Sequence, residues 1–251
     1  MDLADEVLVE RAGPAGGLEF SCDAPGVPSD ATNLAVRAAL HYREAGGWNE
    51  GLRIRLEKRI PAGGGLGGGS SDAAAVLREM QRLSGNALSP ERLMECARGL
   101  GADVAFFAAD LPWALGRERG DKIEPVLLPA QMWHLLVTPD FPIPTKEVYG
   151  AFRPAAESPD VQPLLQALRN GDVSSARELL YNALEPAVEK LYPRICRVKS
   201  EMEAAGLRKP MVSGSGSTVF ALCESREEAE TAAEKVKRRQ PSWRVHAART
   251  I

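Results

Sequence analysis

The chain runs to 251 residues, 44% of them hydrophobic and 26% charged, with a formal net charge of −3. That is enough apolar material for one large core or two modest ones, while the apolar runs are too short and too often broken by charge for a membrane-spanning helix. The mild acidity offers no broad basic face for nucleic acid or anionic lipid, and Met1-Asp2-Leu3-Ala4-Asp5-Glu6 lacks the basic flank and apolar stretch of a secretion signal.

From the start of the chain, Glu6 to Glu10 and Leu18 to Cys22 read as strands, with Gly13-Pro14-Ala15-Gly16-Gly17 as the turn between them. Asn33 to Ala45 is alanine-rich and predicts a helix ended by Gly46-Gly47. Leu52, Ile54 and Leu56 then alternate with Arg53, Arg55 and Glu57, which predicts a strand with one apolar face. Next comes Pro61-Ala62-Gly63-Gly64-Gly65-Leu66-Gly67-Gly68-Gly69-Ser70-Ser71-Asp72, and a helix starting near Ser70 or Ser71 with Ala73, Val76, Leu77 and Met80 on one face. Ser89 as cap and Pro90 at the first position announce another helix, whose stripe is Leu93, Cys96, Ala97 and Leu100 and whose end is Gly101.

Pro125 to Ala130 reads as a boundary, giving an expected division into residues 1–130 and 131–251. Trp133 to Thr138 predicts a strand, and Pro139, Pro142 and Pro144 make the connection after it rigid. Two helices are expected after that, the longer carrying Val188, Leu191, Ile195, Val198 and Met202 and stopping at Gly206. Ser213-Gly214-Ser215-Gly216-Ser217 leads into a strand over Thr218 to Cys223. Ser225 with Glu228 forms a capping box for a last helix, and a final strand lies near Trp243 to Ala247. Helices mixed with strands predict an α+β protein. The cysteines, Cys22, Cys96, Cys196 and Cys223, have neither metal-site nor disulfide-framework spacing and are expected to be reduced, structural thiols.

The chemistry concentrates in the glycine run. Strand, glycines, then helix is an anion-binding arrangement: glycine lets the backbone approach a phosphate without a Cβ, and the helix start adds unpaired amides and a favourable dipole. The hydroxyls of Ser70 and Ser71 can donate to phosphate oxygens or help hold Mg²⁺. No Gly-Lys-Ser/Thr closes the run, so it is not the common P-loop, and glycine fills too many positions for the dinucleotide fingerprint. Six glycines in the nine residues 61–69 would be costly to order for a bare surface turn.

Here the sequence resembles the galactokinase, homoserine kinase, mevalonate kinase and phosphomevalonate kinase superfamily, whose nucleotide motif matches Pro61 to Ala75. Within it the chain looks most like the 4-diphosphocytidyl-2-C-methyl-D-erythritol kinases of the non-mevalonate isoprenoid route. The closer match rests on Asn33-Leu34-Ala35-Val36-Arg37-Ala38-Ala39, the glycine run, Leu100-Gly101-Ala102-Asp103-Val104, and Ile143-Pro144-Thr145 with Tyr149. Ser213 to Phe220 resembles the superfamily's C-terminal glycine motif. The resemblance implies a two-domain α+β kinase fold: an N-terminal ATP-binding domain of ribosomal protein S5 domain 2-like topology and a ferredoxin-like substrate-side domain.

It also implies ATP and Mg²⁺ as cofactors and phosphorylation of the 2-hydroxyl of a cytidine diphosphate-linked substrate. The expected setting is the cytoplasm, as a monomer or weak homodimer without nucleic acid or membrane. Pro61, Gly63, Gly64, Gly65, Leu66, Gly67, Gly68, Gly69, Ser70 and Ser71 would then hold the nucleotide. Asn33 is a helix cap by local sequence, and the resemblance adds a place beside adenine. Asp103 is a turn residue by local sequence, and the resemblance makes it the proton acceptor, a role in which burial with a hydrogen-bonded partner is expected. Tyr149 reads as a core or half-exposed aromatic, or by resemblance as the ring stacked on cytosine, with Thr145, Gly214, Ser215 and Gly216 on the same substrate side.

Asp72 is expected in the first helical turn for its dipole benefit, with a second role near nucleotide and magnesium weakly specified; no residue is assigned as a metal ligand. Lys58 and Arg59 tune the loop's potential or form a solvated strand end. His41, His134 and His246, and the tryptophans, read as packing or surface residues. The family's opening strand, with a lysine and an asparagine beside the reacting phosphate, and its aromatic-histidine pair match no residue here, so the sequence is expected to begin inside that catalytic domain. A kinase for another small alcohol, and a nucleotide-binding protein without turnover, stay open as alternatives.

Overall fold

The computed structural model describes residues 1–13, 16–128, 131–154 and 158–251. Pro14 and Ala15 of the expected first turn, and Pro129 and Ala130 of the expected boundary, lie outside the described residues. The chain forms two compact units, one of Ala4–Ala62 with Gly67–Val126, the other of Met1–Leu3, Gly63–Leu66 and Leu127–Ile251.

The first unit is built on a three-stranded sheet. β1 (Glu6–Arg11) pairs antiparallel with the central β3 (Leu52–Glu57), and β2 (Leu18–Cys22) pairs parallel with its other edge. A parallel pair needs a crossover, supplied by α1 (Leu34–Gly46) between β2 and β3. The alternation in β3 is as the sequence required: Leu52, Ile54 and Leu56 are buried and the charged residues between them exposed. Asn33 caps α1 by accepting from the Ala35 amide at 2.9 Å, and Gly47 closes it in the left-handed region. Tyr42 of α1 packs with Val76, Leu77 and Met80 of α2 (Gly68–Leu83) over Ile54.

α3 (Pro90–Leu100) starts as expected, with Ser89 accepting from the Arg92 amide. Its buried stripe is narrower than expected: Ala97 and Leu100 are buried, Leu93 and Cys96 only partly. Gly101 ends it, but the chain re-enters a helix at once, α4 (Ala102–Ala108), whose Val104, Ala105 and Ala108 fill the same core. The hairpin β4 (Ala114–Arg117) and β5 (Lys122–Pro125) completes the unit.

The second unit has a four-stranded antiparallel sheet in the order β7 (Met211–Val212), β8 (Val219–Cys223), β6 (Trp133–Thr138), β9 (Arg244–Arg249). Its helices are α5 (Thr145–Ala151), α6 (Gln162–Arg169), α7 (Val173–Leu179), α8 (Glu185–Leu191), α9 (Arg194–Ala204) and α10 (Arg226–Arg239). The long helix expected over Val188 to Met202 is two. Pro193 has no amide hydrogen to donate and forces its predecessor out of the helical region, so Tyr192 sits at φ −129°, ψ 69° and α8 stops there. The apolar stripe still buries Val188, Ile195, Val198 and Met202 in one core with β6 and β8, while Leu191 is exposed. Gly206, at φ +107°, ends the run after α9. Ser225 caps α10 through the Glu228 amide, but the reciprocal bond from Glu228 reaches the Glu224 amide rather than that of Ser225.

His134 of β6 is buried, and its Nδ1 has no hydrogen-bond partner among the described residues. Burial pulls its pKa from 6.5 to about 4. The unfolded chain therefore takes up the proton first: the stability held above pH 6.5 is lost as pH falls toward 4. Unfolding titrations should show a loss of about 3 kcal/mol across that window, much reduced in His134→Gln. An unchanged acid limb in the variant would exclude His134 as its source.

Candidate active site

In the first unit the glycine run delivers a helix start without a side-chain cap. α2 begins at Gly68, two residues before the expected start, so Ser70 and Ser71 already lie in its first turn. Its N-cap, Gly67, contributes no side-chain cap and no acidic residue occupies the first turn, whereas α1, α3 and α10 are each capped by a side chain. The first bond within the helix is from the Ser71 amide to the Gly67 carbonyl, which leaves the amides of Gly68, Gly69 and Ser70 without intrahelical partners. The Ser71 hydroxyl bonds back to Gly68 O, and Ser70 carries the other hydroxyl of the turn. Gly67 must be glycine: its φ is +69°, and a Cβ there would lie 2.9 Å from the Phe107 ring.

Beneath this helix start sits a buried charge cluster. Lys58 is not a solvated strand end: its ammonium bridges Asp5 and Asp72, the latter at 2.8 Å, and all three side chains are 7% exposed or less. Asp72 is accordingly a buried partner past the first turn, not a dipole residue at the helix start. Desolvation pushes its carboxyl from 3.8 up to about 6, against the pull of Lys58. The same partners hold Lys58 above its ordinary value despite burial. Asp5 Oδ1 also accepts from the amides of Arg59 and Ile60 at 2.6 and 2.8 Å, fixing the chain as it enters Pro61, while Arg59 is exposed and pairs with Glu6. Sequence spacing hid this cluster, because its members come from a strand lead-in, a strand end and a helix.

Asp103 lies in the first turn of α4 and is exposed, without a side-chain hydrogen bond among the described residues. The expected burial is wrong: α4 turns Val104, Ala105 and Ala108 inward and Asp103 outward. Asn33 serves as the cap of α1, its side-chain amide also donating to Pro28 O at 2.7 Å.

In the second unit the two glycine motifs meet. Residues 63–66 lie against the loop 213–217: the Ser213 hydroxyl donates to Gly65 O at 2.8 Å and the Thr218 amide donates to Gly64 O at 3.0 Å. Gly65 has φ +74°, and a Cβ there would collide with the Ser213 carbonyl and lie 2.7 Å from that of Gly216. Its glycine character thus serves packing of chain on chain. Gly65→Ala should cost about 1–3 kcal/mol of stability from the left-handed strain and the clash, read as a lower midpoint in denaturant; an unchanged midpoint would mean the two loops separate freely. Gly214 and Gly216 also have positive φ. Ser215 is buried and shares a 2.9 Å hydroxyl bond with Thr145 at the start of α5, so these two predicted residues are brought together. Tyr149 is on the same helix and 60% exposed, a free ring and not a core residue. Ser213 and Thr218, which tie the loops, carried no sequence signal beyond the glycine motif itself.

Among the described residues no group of three or more His, Cys, Asp or Glu side chains is placed to hold a metal, and no helix is long and apolar enough to cross a membrane. Residues 33–110 match the model of the GHMP kinases N terminal domain and residues 164–242 that of the GHMP kinases C terminal domain. A 4-diphosphocytidyl-2-C-methyl-D-erythritol kinase of Pelotomaculum thermopropionicum is 38% identical over 226 residues, covering 89% of this chain and 78% of its own. One from Thermus thermophilus is 40% identical over 243 residues, 96% of this chain and 82% of its own. A crystal structure of 4-(cytidine 5'-diphospho)-2C-methyl-D-erythritol kinase superposes with a TM-score of 0.82 at 40% identity, over 98% of this chain and 86% of that one. With the open helix start after the glycine run and the α+β architecture of both units, these similarities establish that the chain is an ATP-dependent small-molecule kinase belonging to the GHMP kinases and, within them, to the 4-diphosphocytidyl-2-C-methyl-D-erythritol kinase family.

Proposed function

We propose that the protein transfers the γ-phosphoryl group of ATP to the 2-hydroxyl of 4-diphosphocytidyl-2-C-methyl-D-erythritol, a step in making isoprenoid precursors. What carries this is the alignment of relatives of that name along most of their length; the uncapped start of α2 gives it a physical basis. The amides of Gly68, Gly69 and Ser70 and the dipole of α2 receive phosphate oxygens, with residues Pro61 to Leu66 forming the rest of the cradle and Asn33 beside the adenine. Asp103 orients the acceptor hydroxyl and takes its proton as the new phosphorus–oxygen bond forms and the bond to the ADP oxygen breaks. Tyr149, exposed on α5, stacks on cytosine, and Thr145, Gly214, Ser215 and Gly216 shape the acceptor side.

Magnesium, if bound, would be held by phosphate oxygens of the nucleotide, water and the Ser70 hydroxyl. It prefers oxygen ligands and keeps part of its shell on phosphates and water, which suits a site offering the Ser70 hydroxyl and no protein-built carboxylate cage among the described residues. Asp72 is a poor ligand for it, since one oxygen holds Lys58 and the other is sealed from solvent. When bound, the ion neutralises phosphate charge. Alignment and charge stabilisation supply the rate, with no covalent enzyme intermediate. The acidic composition fits a cytoplasmic protein, monomeric or weakly dimeric, that leaves nucleic acid and membranes alone.

The test compares phosphoryl transfer to the cytidyl acceptor, homoserine and mevalonate under identical conditions. Loss of the hydrogen-bonding and stacking groups should leave the other alcohols at least about 10²-fold poorer in kcat/KM. A preference for either of them would overturn the substrate assignment. Nucleotide binding without transfer to any acceptor would overturn the activity.

A further inference from the structure

We infer that Asn182 is a positioning residue for the reaction: it holds the loop 213–217 in register with residues 64 and 65 of the glycine run, so that one side chain remote from both motifs in sequence sets the geometry of both. This rests on the proposed reading of those two loops as ligand-facing.

Asn182 lies between α7 and α8. Its Nδ2 donates to the carbonyls of Val212 and Gly214, both at 2.8 Å, and its Oδ1 accepts from the Leu184 amide at 3.0 Å. Both amide donors are thus spent on the entry to the glycine loop. The other main-chain group of Val212, its amide, is taken by Glu185 Oε1 at 2.9 Å, and Glu185 is in turn paired with Lys199 at 3.1 Å. β7 is an edge strand of only two residues, so it has little ladder to fix it, and these side chains cap its open edge. From the loop so anchored, Ser213 and Thr218 reach Gly65 and Gly64, and Ser215 reaches Thr145. A displacement at Val212 or Gly214 is passed to Ser213 and Ser215, their main-chain neighbours, and to Thr218 through the Ser213 amide, which donates to Thr218 O at 2.8 Å.

N182D separates this role from local structure. An aspartate keeps the Oδ1 acceptor for Leu184 and hence the turn into α8, but replaces the two donated hydrogens with an oxygen facing two carbonyls. Amide exchange on the free protein should quicken at Val212, Ser213 and Gly216 and, together with them, at Thr218, whose amide donates to Gly64 O, while α8 and α9 keep their protection. Turnover should fall about tenfold to a hundredfold, the scale of a small misplacement of reacting groups. A core variant, Ile195→Val, chosen to lower the unfolding midpoint by a similar amount, should leave kcat nearly unchanged. Exchange that quickens at Val212 and Ser213 but not at Thr218, or turnover no lower than in the core variant, would overturn the inference. Should N182D fail to fold, N182S shortens the side chain without adding charge and is read by the same two measurements. The exchange pattern needs no substrate, so it stands apart from the acceptor comparison: failure there would refute the substrate, not the coupling.

Discussion

Asp103→Asn should lower turnover by about 10²- to 10⁴-fold, the range for removing a positioned proton acceptor, while leaving nucleotide affinity and the unfolding midpoint nearly intact. The structural ground for the second half is specific. Asp103 is exposed in the first turn of α4 and makes no side-chain hydrogen bond among the described residues, so no hydrogen bond of the fold is lost with its charge. Asparagine keeps the shape and an oxygen for the helix start, at a cost of about 0.3–1 kcal/mol of dipole interaction. A carboxylate that orients a hydroxyl and takes its proton acts in the transition state, so kcat and kcat/KM for the acceptor should fall together. The kinetic split is read by steady-state assays and the affinity by equilibrium titration with an ATP analogue. Near-normal turnover would remove Asp103 from catalysis.

Lys58→Met carries the largest expected cost in stability. It leaves Asp5 and Asp72 facing each other without their shared cation, in side-chain surroundings exposed by no more than 4%. Breaking a buried pair by removing one partner typically costs about 3–5 kcal/mol. The loss should depend on pH. Burial already holds the Asp72 carboxyl up at about 6, and without Lys58 it rises further. The penalty is therefore fullest above that value, where Asp72 must ionise in its buried place, and shrinks as pH falls and Asp72 takes up its proton. Denaturant unfolding at a series of pH values reads both parts. Because Asp5 also holds the Arg59 and Ile60 amides, the variant should loosen the entry to the glycine run and raise the KM for ATP. A penalty below about 1 kcal/mol, flat with pH, would mean that the cluster is not electrostatically coupled.

Local chemistry made much of this molecule readable in advance. The alternation in β3, the Asn33 and Ser89 caps and the glycine run followed by a helix all depend on neighbours within a few residues, and each stands as the sequence implied. What stayed hidden depends on long-range partners. Lys58 looked solvated because Asp5 lies 53 residues and Asp72 14 residues away in sequence. Asp103 was expected to be buried because its role suggests a pocket, and the continuation of the chain into α4 turns it outward instead. The split at Pro193 was visible in principle: the proline was there, but the apolar stripe keeps its helical spacing across the break and masked it. Asn182 stands in no motif, and its hold on the glycine loop comes from the two carbonyls it meets 30 and 32 residues downstream.

The most direct measurement is a crystal structure of the protein soaked with a non-hydrolysable ATP analogue and magnesium. The β- and γ-phosphate oxygens should lie at hydrogen-bonding distance from the Gly68, Gly69 and Ser70 amides, at the uncapped start of α2. An analogue seated elsewhere, with those amides bonded only to water, would contradict the account.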